Sequence, residues 1–422
     1  MRVAVVLGEF PSVSEVFILQ QITGLLELGC DISVFAAAPT REAPQHGLYS
    51  RYALGERTTY RPETREQTTL RCLQHARSEL HGWAKRLVAK RAPSHTRRVA
   101  QQVLESGWML AASRSAERLD SIRYVVDIVQ RGPFDVVHAH FGDTGRACTA
   151  LYRSHPRTRL LTTFHGYDAN VAPRLSPTHP YRELFERGTG FTVNSRFLKT
   201  RLLELGCSPE KIEILPAGVD LHRFEYRPRE LGAGERVRLL SVARLVAAKG
   251  LDTAIHAVAR LIERGLDIEY RIAGEGELRP SLEGLIAQLG LGERVQLLGA
   301  QSHEDVQALY HTAHVFVLPS LRTPRGDEET QGVVVQEAQA TGMPVVVSDV
   351  GGVREGIVEG VSGSSYRAGD VAALAHAIAA LVEHPERWAA AAREGRSLVE
   401  QSYDLRLLNQ RLLAIYARLL QE

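Results

Sequence analysis

Glu329 and Glu337 are two carboxylates in the segment ETQGVVVQEAQATGMPVVVSD whose types and spacing could do chemistry. Gly332 and the valines after it argue against one continuous helix from Glu329, so the segment predicts a loop there. Glu337 would then lie early in a helix that stops at Gly342. A carboxylate can accept hydrogen bonds from two neighbouring hydroxyls, such as those of a ribose, and the amides of Gly332 and Val333 could meet phosphate or sugar oxygens. Acidic residues that only stabilise a helix N-terminus would explain Glu329 but not Glu337.

A cationic pair, Arg244 and Lys249, follows another predicted strand, in the segment SVARLVAAKGLD. A helix is expected to begin there, and the backbone N–H groups and dipole of a helix N-terminus favour an anion. The two cations would add charge and hydrogen bonds, so the pattern predicts a diphosphate site. Two solvated surface cations are the alternative. The chain uses lysine far less than arginine, which makes a lysine at this turn harder to dismiss as incidental.

Glycines and histidines follow further predicted strands. Gly274 and Gly276, in RIAGEGE, would permit a close approach to a nucleotide, although an ordinary strand-to-helix turn explains them equally well. The glycine fingerprint of dinucleotide sites is missing, which argues against an NAD enzyme. His138, His140 and His165 lie at strand ends facing the same expected cleft, where functional and structural roles are equally open. The sequence has no HxxxH or HExxH spacing, so a metal site is not expected.

Short β-branched runs alternate with helix-like stretches and predict the elements that would position these groups. Alternation of this kind indicates parallel sheets, with the loops after each strand gathered along one edge, where ligands bind. The predicted strands are 3–7, 31–36, 134–140, 159–165, 190–195, 211–216, 237–243, 268–274, 294–299, 314–319, 343–349 and 362–367.

The chain of 422 residues is long enough for two domains. The strand pattern predicts an α/β protein with two Rossmann-like domains. Residues 1–222 would form the first domain, completed by a C-terminal helix over 403–422. Residues 223–402 would form the second. Residues 41–131 interrupt the pattern without a clear strand and are interpreted as an inserted helical region.

Charge and composition exclude several classes of protein. The formal net charge is +2, so no overall field favours nucleic acid, although residues 51–131 hold 16 Arg and Lys against 8 Asp and Glu. The four cysteines lack any ligand spacing and are expected to be reduced structural thiols of a cytoplasmic protein. No apolar run approaches the ~20 residues that span a bilayer, and the N-terminal apolar run is too short for a signal sequence.

With these motifs the chain resembles the retaining glycosyltransferases of family 4, which have the GT-B fold of two Rossmann-like domains facing across a cleft. The segment ETQGVVVQEAQATGMPVVVSD matches the family's E-x7-E signature, and SVARLVAAKG matches its Arg…Lys-Gly phosphate motif. FPSVSEVFILQQI, HAHFG and TFHGYDA resemble the branch that builds colanic acid, amylovoran and similar exopolysaccharides. The resemblance implies a hexosyltransferase that moves a sugar from a nucleotide-diphosphate sugar to a glycan, lipid-linked or small-molecule acceptor, with retention of configuration.

The resemblance also implies roles for individual residues. Arg244 and Lys249 would hold the donor diphosphate, and Glu337 would bind the ribose. Glu329 would lie at the transferred sugar, which His165 would contact and orient. The acceptor would enter from the first domain, where the candidate residues are Glu15, His140 and Asp168. No metal or other cofactor is expected, because the cationic pair would neutralise the leaving phosphate, and a UDP-sugar is expected over a GDP-sugar.

Some features depart from the family or leave alternatives open. Val16 and the pair Thr330–Gln331 replace residues usual in the branch, so acceptor detail and sugar specificity are not carried over. The basic residues 51–131 would suit a lipid-diphosphate-linked acceptor and contact with an anionic inner membrane surface, or an arginine-rich solvated helix pair. A nucleotide-sugar epimerase of the same fold and a non-catalytic sugar-nucleotide-binding scaffold are the alternative functions.

Overall fold

The fold is described from a computed structural model. The structure describes residues 1–12, 15–40, 47–61, 63–64, 67–72, 74, 116–153, 155, 157–176 and 180–421. Most of the basic insertion predicted over 41–131 therefore lies outside the described residues. Within the described part of the chain, no helix is both long and apolar enough to cross a membrane.

The first half of the chain forms a seven-stranded parallel sheet in the order β3-β2-β1-β4-β5-β6-β7. Its inner strand β1 is buried from Val3 to Leu7, as expected for a parallel strand covered by helices on both faces. From β1 the chain adds β2 and β3 on one side of the sheet, and from β4 it adds β5, β6 and β7 on the other side. The connections after β1 and β4 therefore run in opposite directions, which opens a crevice at the carboxyl ends of these two strands. The strands are β1 Arg2–Glu9, β2 Asp31–Ala38, β3 Thr58–Tyr60, β4 Val136–His140, β5 Arg159–Phe164, β6 Gly190–Val193 and β7 Ile212–Ile214.

The second half forms a six-stranded sheet in the order β10-β9-β8-β11-β12-β13, again with parallel pairing between neighbours. Its reversal lies between β8 and β11, so the loops after these two strands flank the crevice of this sheet. The strands are β8 Val237–Val242, β9 Ile268–Ala273, β10 Val295–Gly299, β11 Val315–Leu318, β12 Val345–Ser348 and β13 Gly363–Tyr366.

All twelve predicted strands are confirmed, and one further strand corrects the prediction. β3 lies within 41–131, where no strand was expected, and pairs with β2 from Val34↔Thr58 to Ala36↔Tyr60. It is a half-buried edge strand of three residues, too short to show an alternating pattern. The Tyr60 hydroxyl donates to the Phe10 carbonyl (3.1 Å), which ties this edge to the end of β1.

Helices cover both sheets. In the first half they are α1 Val16–Glu27, α2 Gly47–Arg51, α3 Leu54–Arg57, α4 Ala116–Arg131, α5 Gly142–Cys148, α6 Tyr167–Asn170, α7 Ala172–Leu175, α8 Arg182–Arg187 and α9 Arg196–Glu204. In the second half they are α10 Leu251–Glu263, α11 Arg279–Gln288, α12 His303–Thr312, α13 Val333–Ala340, α14 Val371–Val382, α15 Trp388–Ser402 and α16 Leu405–Leu419.

The last helix, α16, returns to the first sheet. Its apolar face joins the buried cluster formed by β1, α1 and β2, and the Tyr416 hydroxyl lies 2.7 Å from Nδ1 of His138. α16 approaches α1 so closely that a side chain in place of Gly24 would overlap Asn409. Asp404 caps α16 by accepting from the Arg406 amide (2.9 Å). The domain boundaries at residues 222 and 402 stay predictions.

All four cysteines are buried and free of disulfide bonds, in agreement with the prediction of structural thiols. Burial raises the pKa of Cys148 and of Cys207 to about 12, so both remain protonated thiols at neutral pH.

Candidate active site

Glu329 and Lys249 form an ion pair where the loops after β8 and β11 meet. Their side chains retain only 17% and 19% exposure, so the attraction is weakly screened by solvent. Glu329 lies in the loop, as predicted. Lys249 and Glu329 are therefore in direct contact, although they were expected to bind different parts of a ligand.

Gly250 explains how Lys249 reaches this position. Lys249 ends a short 3-10 turn after β8, and Gly250 follows with a left-handed φ of +55°. A Cβ at Gly250 would overlap the carbonyl oxygen of Pro319, the residue after β11. The Leu321 amide donates to the Ala248 carbonyl (2.8 Å), which ties the two loops together. Only glycine combines this φ with so close an approach.

Arg244 lies on the same loop as Lys249 but is exposed, and within the described residues its guanidinium makes no hydrogen bond or ion pair, whereas its carbonyl accepts from the Val246 amide (2.9 Å). Its loop is held by the turn after β9. A Cβ at Gly274 would overlap the carbonyl oxygen of Ala243, and one at Gly276 would overlap that of Leu245. Close backbone packing accounts for both glycines, and their contact with a nucleotide stays a prediction.

The loop of Glu329 turns into α13 at Gly332. This glycine has φ +75°, and a Cβ there would lie 2.9 Å from Leu318 at the end of β11. α13 begins at Val333, so the amides of Gly332 and Val333 belong to the first turn, where N–H groups have no acceptor within the helix. Gly342, with φ +84°, follows the end of α13, as predicted.

Glu337 lies in the middle of α13, somewhat later than predicted. The hydroxyl of the fully buried Tyr310 donates to Oε2 of Glu337 (2.8 Å). Burial raises the pKa of Glu337, and the bond from Tyr310 opposes that shift. Oε1 has no hydrogen-bond partner in the described part of the chain, so this half of the carboxylate is available for a ligand hydroxyl.

Across the cleft, His165 follows β5 and forms a hydrogen bond with His140 of β4. Nε2 of His165 and Nδ1 of His140 are 3.0 Å apart, and the rings are stacked with an interplanar angle of 14°. Burial lowers the pKa of His165 to about 3 and that of His140 well below its usual value, so both rings are neutral at pH 7. His165 therefore offers hydrogen bonding to a ligand and no positive charge.

His138 has a different environment from the one expected. It is fully buried, and its ring nitrogens contact the hydroxyls of Tyr416 and Thr163, each at 2.7 Å. With both nitrogens engaged inside the protein, His138 is a structural residue that joins β4, β5 and α16, and the expectation that it faces the cleft is wrong.

Asp168 links the loops that follow β4 and β5 by hydrogen bonds. Its carboxylate accepts from the amides of Gly142 (2.9 Å), His165 (3.0 Å) and Gly166 (2.8 Å). Only 2% of the residue is exposed, and burial raises the pKa of its carboxyl group to about 6 against the effect of these bonds. The geometry favours a role in placing His165, and contact between Asp168 and an acceptor stays a prediction.

Glu15 directly precedes α1, on the same side of the first sheet as His165. It is half-buried, and burial, with a smaller contribution from Glu9, raises the pKa of its carboxyl group to about 7. Phe17, two residues later, packs against the His165 ring with centroids 5.1 Å apart. Glu15 thus lies at the start of the helix whose Phe17 packs against His165, and its contact with an acceptor stays a prediction.

Gly351 and Gly352, which follow β12, support the Glu329 loop but were not singled out in the sequence. A Cβ on Gly351 would overlap the carbonyl oxygen of Glu329, and one on Gly352 would overlap that of Thr330. The Gly352 amide also donates to the Glu329 carbonyl (3.0 Å). A glycine pair in the loop that follows a buried strand was the signal that could have found them.

Contacts between the halves join the two sides of the cleft. The Gln331 side chain accepts from the amide of Ala217 (2.8 Å) and donates to its carbonyl (2.9 Å), in the segment that links the two sheets. The Glu355 carboxylate accepts from the amides of Arg196 and Phe197 at the start of α9, both at 2.8 Å. The loops of the Glu329 side and of the histidine side therefore face each other in one cleft.

This arrangement agrees with the comparisons with known proteins. Residues 222–397 match the family described as glycosyl transferases group 1, and residues 81–223 match Glycosyltransferase Family 4. The putative colanic acid biosynthesis glycosyltransferase WcaL of Salmonella typhimurium is 30% identical over 98% of this chain and 99% of its own. The chain belongs to glycosyltransferase family 4. The amylovoran biosynthesis glycosyltransferase AmsK of Erwinia amylovora is also 30% identical, over 97% of this chain and 98% of its own.

Solved structures of other glycosyltransferases share the GT-B fold of this family 4 enzyme. HepE of Anabaena in complex with UDP superposes with a TM-score of 0.72 at 17% identity, covering 99% of this chain and 100% of its own. Sucrose-phosphate synthase of Thermosynechococcus elongatus gives a TM-score of 0.70 at 18% identity, covering 99% of both chains. The predicted family, fold class and hexosyltransferase activity are confirmed, and these proteins give no support to the epimerase alternative.

Proposed function

We propose that this glycosyltransferase transfers a hexose from a UDP-sugar to a glycan acceptor in exopolysaccharide biosynthesis. The observation that carries the proposal is the ion pair of Lys249 with Glu329 at the meeting point of the β8 and β11 loops. It places a cation suited to a diphosphate directly beside a carboxylate suited to the reacting sugar. The names of the relatives WcaL and AmsK support a role in exopolysaccharide biosynthesis. The UDP complex of HepE supports uracil as the base of the donor.

In this proposal the second half binds the donor from end to end. Glu337 accepts hydrogen bonds from the ribose hydroxyls through the oxygen that Tyr310 leaves free. Lys249, Arg244 and the first amides of α13 neutralise the charge that develops on the departing diphosphate, which is electrostatic catalysis without a metal. Glu329 stabilises the positive charge that develops at the anomeric carbon of the sugar.

The acceptor side belongs to the first half. Neutral His165 forms a hydrogen bond with the transferred sugar and fixes its orientation. Glu15 and His140 line the route of the acceptor. We also infer that the enzyme works in the cytoplasm at the inner face of the membrane, with a lipid-linked acceptor, because residues 51–131 carry twice as many basic as acidic residues.

Calorimetric titration with UDP, GDP, ADP and NAD tests the donor site. We expect UDP to bind tightest, and to bind equally well with a chelator present. Glu337→Ala should weaken UDP binding by about tenfold, since charge-assisted hydrogen bonds to the ribose are lost. Glu383→Ala, which removes an exposed carboxylate paired with Arg264, is the control. Tightest binding of GDP would show that the donor carries guanine instead of the proposed uracil. Binding of NAD alone would overturn the proposed function.

Tyr310→Phe should weaken UDP binding by roughly fivefold, because one hydrogen bond that orients Glu337 is lost while the ring still fills its site. The matched control is Tyr270→Phe. Tyr270 is also fully buried in the second half, and its hydroxyl bonds to Ser241 (2.7 Å) away from Glu337. Equal losses of affinity in the two variants would show that Tyr310 acts only through stability, which melting temperatures measure in parallel.

A further inference from the structure

Thr330, the residue directly after Glu329, joins the two halves through its side-chain hydroxyl. Oγ1 donates to the carbonyl of His165 (2.9 Å) and accepts from Nδ2 of Asn194 (2.9 Å). Both partners follow strands of the first sheet, β5 and β6, whereas Thr330 belongs to the β11–α13 loop of the second half. One hydroxyl therefore connects the ends of two strands on one side of the cleft to the Glu329 loop on the other.

The packing around Thr330 leaves this connection little freedom. Only 6% of the residue is exposed. Gly166, next to His165, has φ +137°, and a Cβ on it would lie 2.8 Å from the Thr330 methyl group. The His165 backbone thus approaches Thr330 through a position that only glycine can occupy without displacement. The contact depends on matched residues from both halves.

The neighbours of Thr330 are held by other partners. The Glu329 carbonyl accepts from Gly352, and the Gln331 side chain binds the backbone of Ala217. Of these three consecutive residues, Thr330 is the one that forms a hydrogen bond with the loop of His165 in the described part of the chain. Because Glu329 directly precedes Thr330 in the chain, we expect a displacement of Thr330 relative to the His165 loop to be passed on to Glu329.

We propose that Thr330 is a positioning residue that sets the separation of Glu329 and His165 across the transferred sugar. This inference rests on the proposed function, because it needs both residues at the sugar. The Thr330 hydroxyl does not take part in the reaction. It holds Glu329 of the second half and His165 of the first half at a fixed separation, so that a sugar bound beside Glu329 also contacts the His165 side chain. Misplacement by about 1 Å can cost an enzyme up to a hundredfold in rate.

Thr330→Val tests the inference, because valine keeps the shape and removes the hydroxyl. The assay is release of nucleotide from a panel of UDP-glucose, UDP-galactose, UDP-N-acetylglucosamine and GDP-mannose, using the donor that the unmodified enzyme turns over fastest. We expect kcat to fall about tenfold, with the Kd for UDP within about twofold of the original, since Lys249 and Glu337 are untouched. Thr330→Ser should restore kcat, because serine keeps the hydroxyl.

Two further variants separate positioning from folding. Thr149→Val removes another buried hydroxyl, which donates to the Arg146 carbonyl (2.8 Å) within the first half, and should leave kcat unchanged. Asn194→Asp replaces the amide that donates to Thr330 by an oxygen that competes for its hydroxyl, and should lower kcat as Thr330→Val does. This second route keeps the test valid if the valine variant has a low melting temperature.

Different outcomes overturn different statements. If the unmodified enzyme releases nucleotide from no donor and binds no nucleoside diphosphate, the proposed function fails and this inference fails with it. If the unmodified enzyme turns over a donor and Thr330→Val has the same kcat, only the role of Thr330 fails. Loss of kcat in Thr330→Ser as large as in Thr330→Val would also contradict it, because the hydroxyl would then be irrelevant.

Discussion

Replacement of Glu329 by glutamine is expected to lower kcat for donor turnover by a factor of about 10² to 10³ while UDP binds as tightly as before or a few-fold tighter. In the proposed function Glu329 faces the anomeric carbon, so the loss of rate would follow from removal of its negative charge. The gain in affinity follows from the ion pair with Lys249. If Lys249 binds the diphosphate as proposed, the diphosphate competes with Glu329 for this cation, and glutamine is a weaker competitor than a carboxylate.

The measurement combines nucleotide release from the best donor with calorimetric titration of UDP. Asp327→Asn is the matched control, because it removes one negative charge from the same loop without touching Lys249. Asp327 takes part in the loop through its backbone, which bonds to Thr323. A parallel fall of UDP affinity and turnover in Glu329→Gln would contradict the division of roles between Glu329 and Glu337.

Lys249→Ala should weaken UDP binding by about a hundredfold and reduce turnover at least as much. A charge-assisted hydrogen bond contributes roughly 1.5–3 kcal/mol, and its loss from the diphosphate accounts for most of the effect. The remainder arises because Glu329 loses its partner and, at 17% exposure, repels the incoming anion with little screening. Binding of uridine, which lacks phosphate, should be unchanged, and this comparison localises the defect to the diphosphate.

The double variant Lys249→Ala/Glu329→Gln gives the decisive comparison. If the unpaired carboxylate contributes to the defect, neutralising it should recover part of the UDP affinity lost in Lys249→Ala, so the two changes would not add. Strict additivity would show that the two side chains bind the ligand independently despite their contact. Arg244→Ala should have a smaller effect on UDP affinity, because the guanidinium is exposed and its proposed attraction to a phosphate would be screened by solvent.

Inner strands such as β1, β11 and β12 were predictable because parallel strands covered on both faces appear in the sequence as nearly unbroken apolar runs. Val345, Val346 and Val347 of β12 are all fully buried. β3 escaped prediction for the opposite reason. It is a three-residue edge strand, and its position depends on its partner β2 and on the bond from Tyr60 to Phe10.

The site was predictable as a set of residues but not as a set of contacts. Glu329 and Lys249 could each be found from their local pattern, but 80 residues separate them in the chain, and no local pattern shows that they pair. Thr330 was visible only as a departure from the family, since its role depends on His165 and Asn194 from the other half. Similarly, Gly351 and Gly352 are explained by the carbonyl oxygens they meet, which belong to a different loop.

α16 is the last helix of the chain but packs on the first sheet, so the first half cannot complete its packing in the order in which the chain is synthesised. A ribosome makes β1 and α1 first and α16 only after both sheets have been translated. Leu412, Ile415 and Leu419 cover an apolar surface of the first half in the folded protein. For most of translation these residues do not yet exist, so they cannot cover that surface on the nascent chain. Early domains usually fold as they emerge, but here the first sheet must wait for residues 405–419 before its buried cluster is complete.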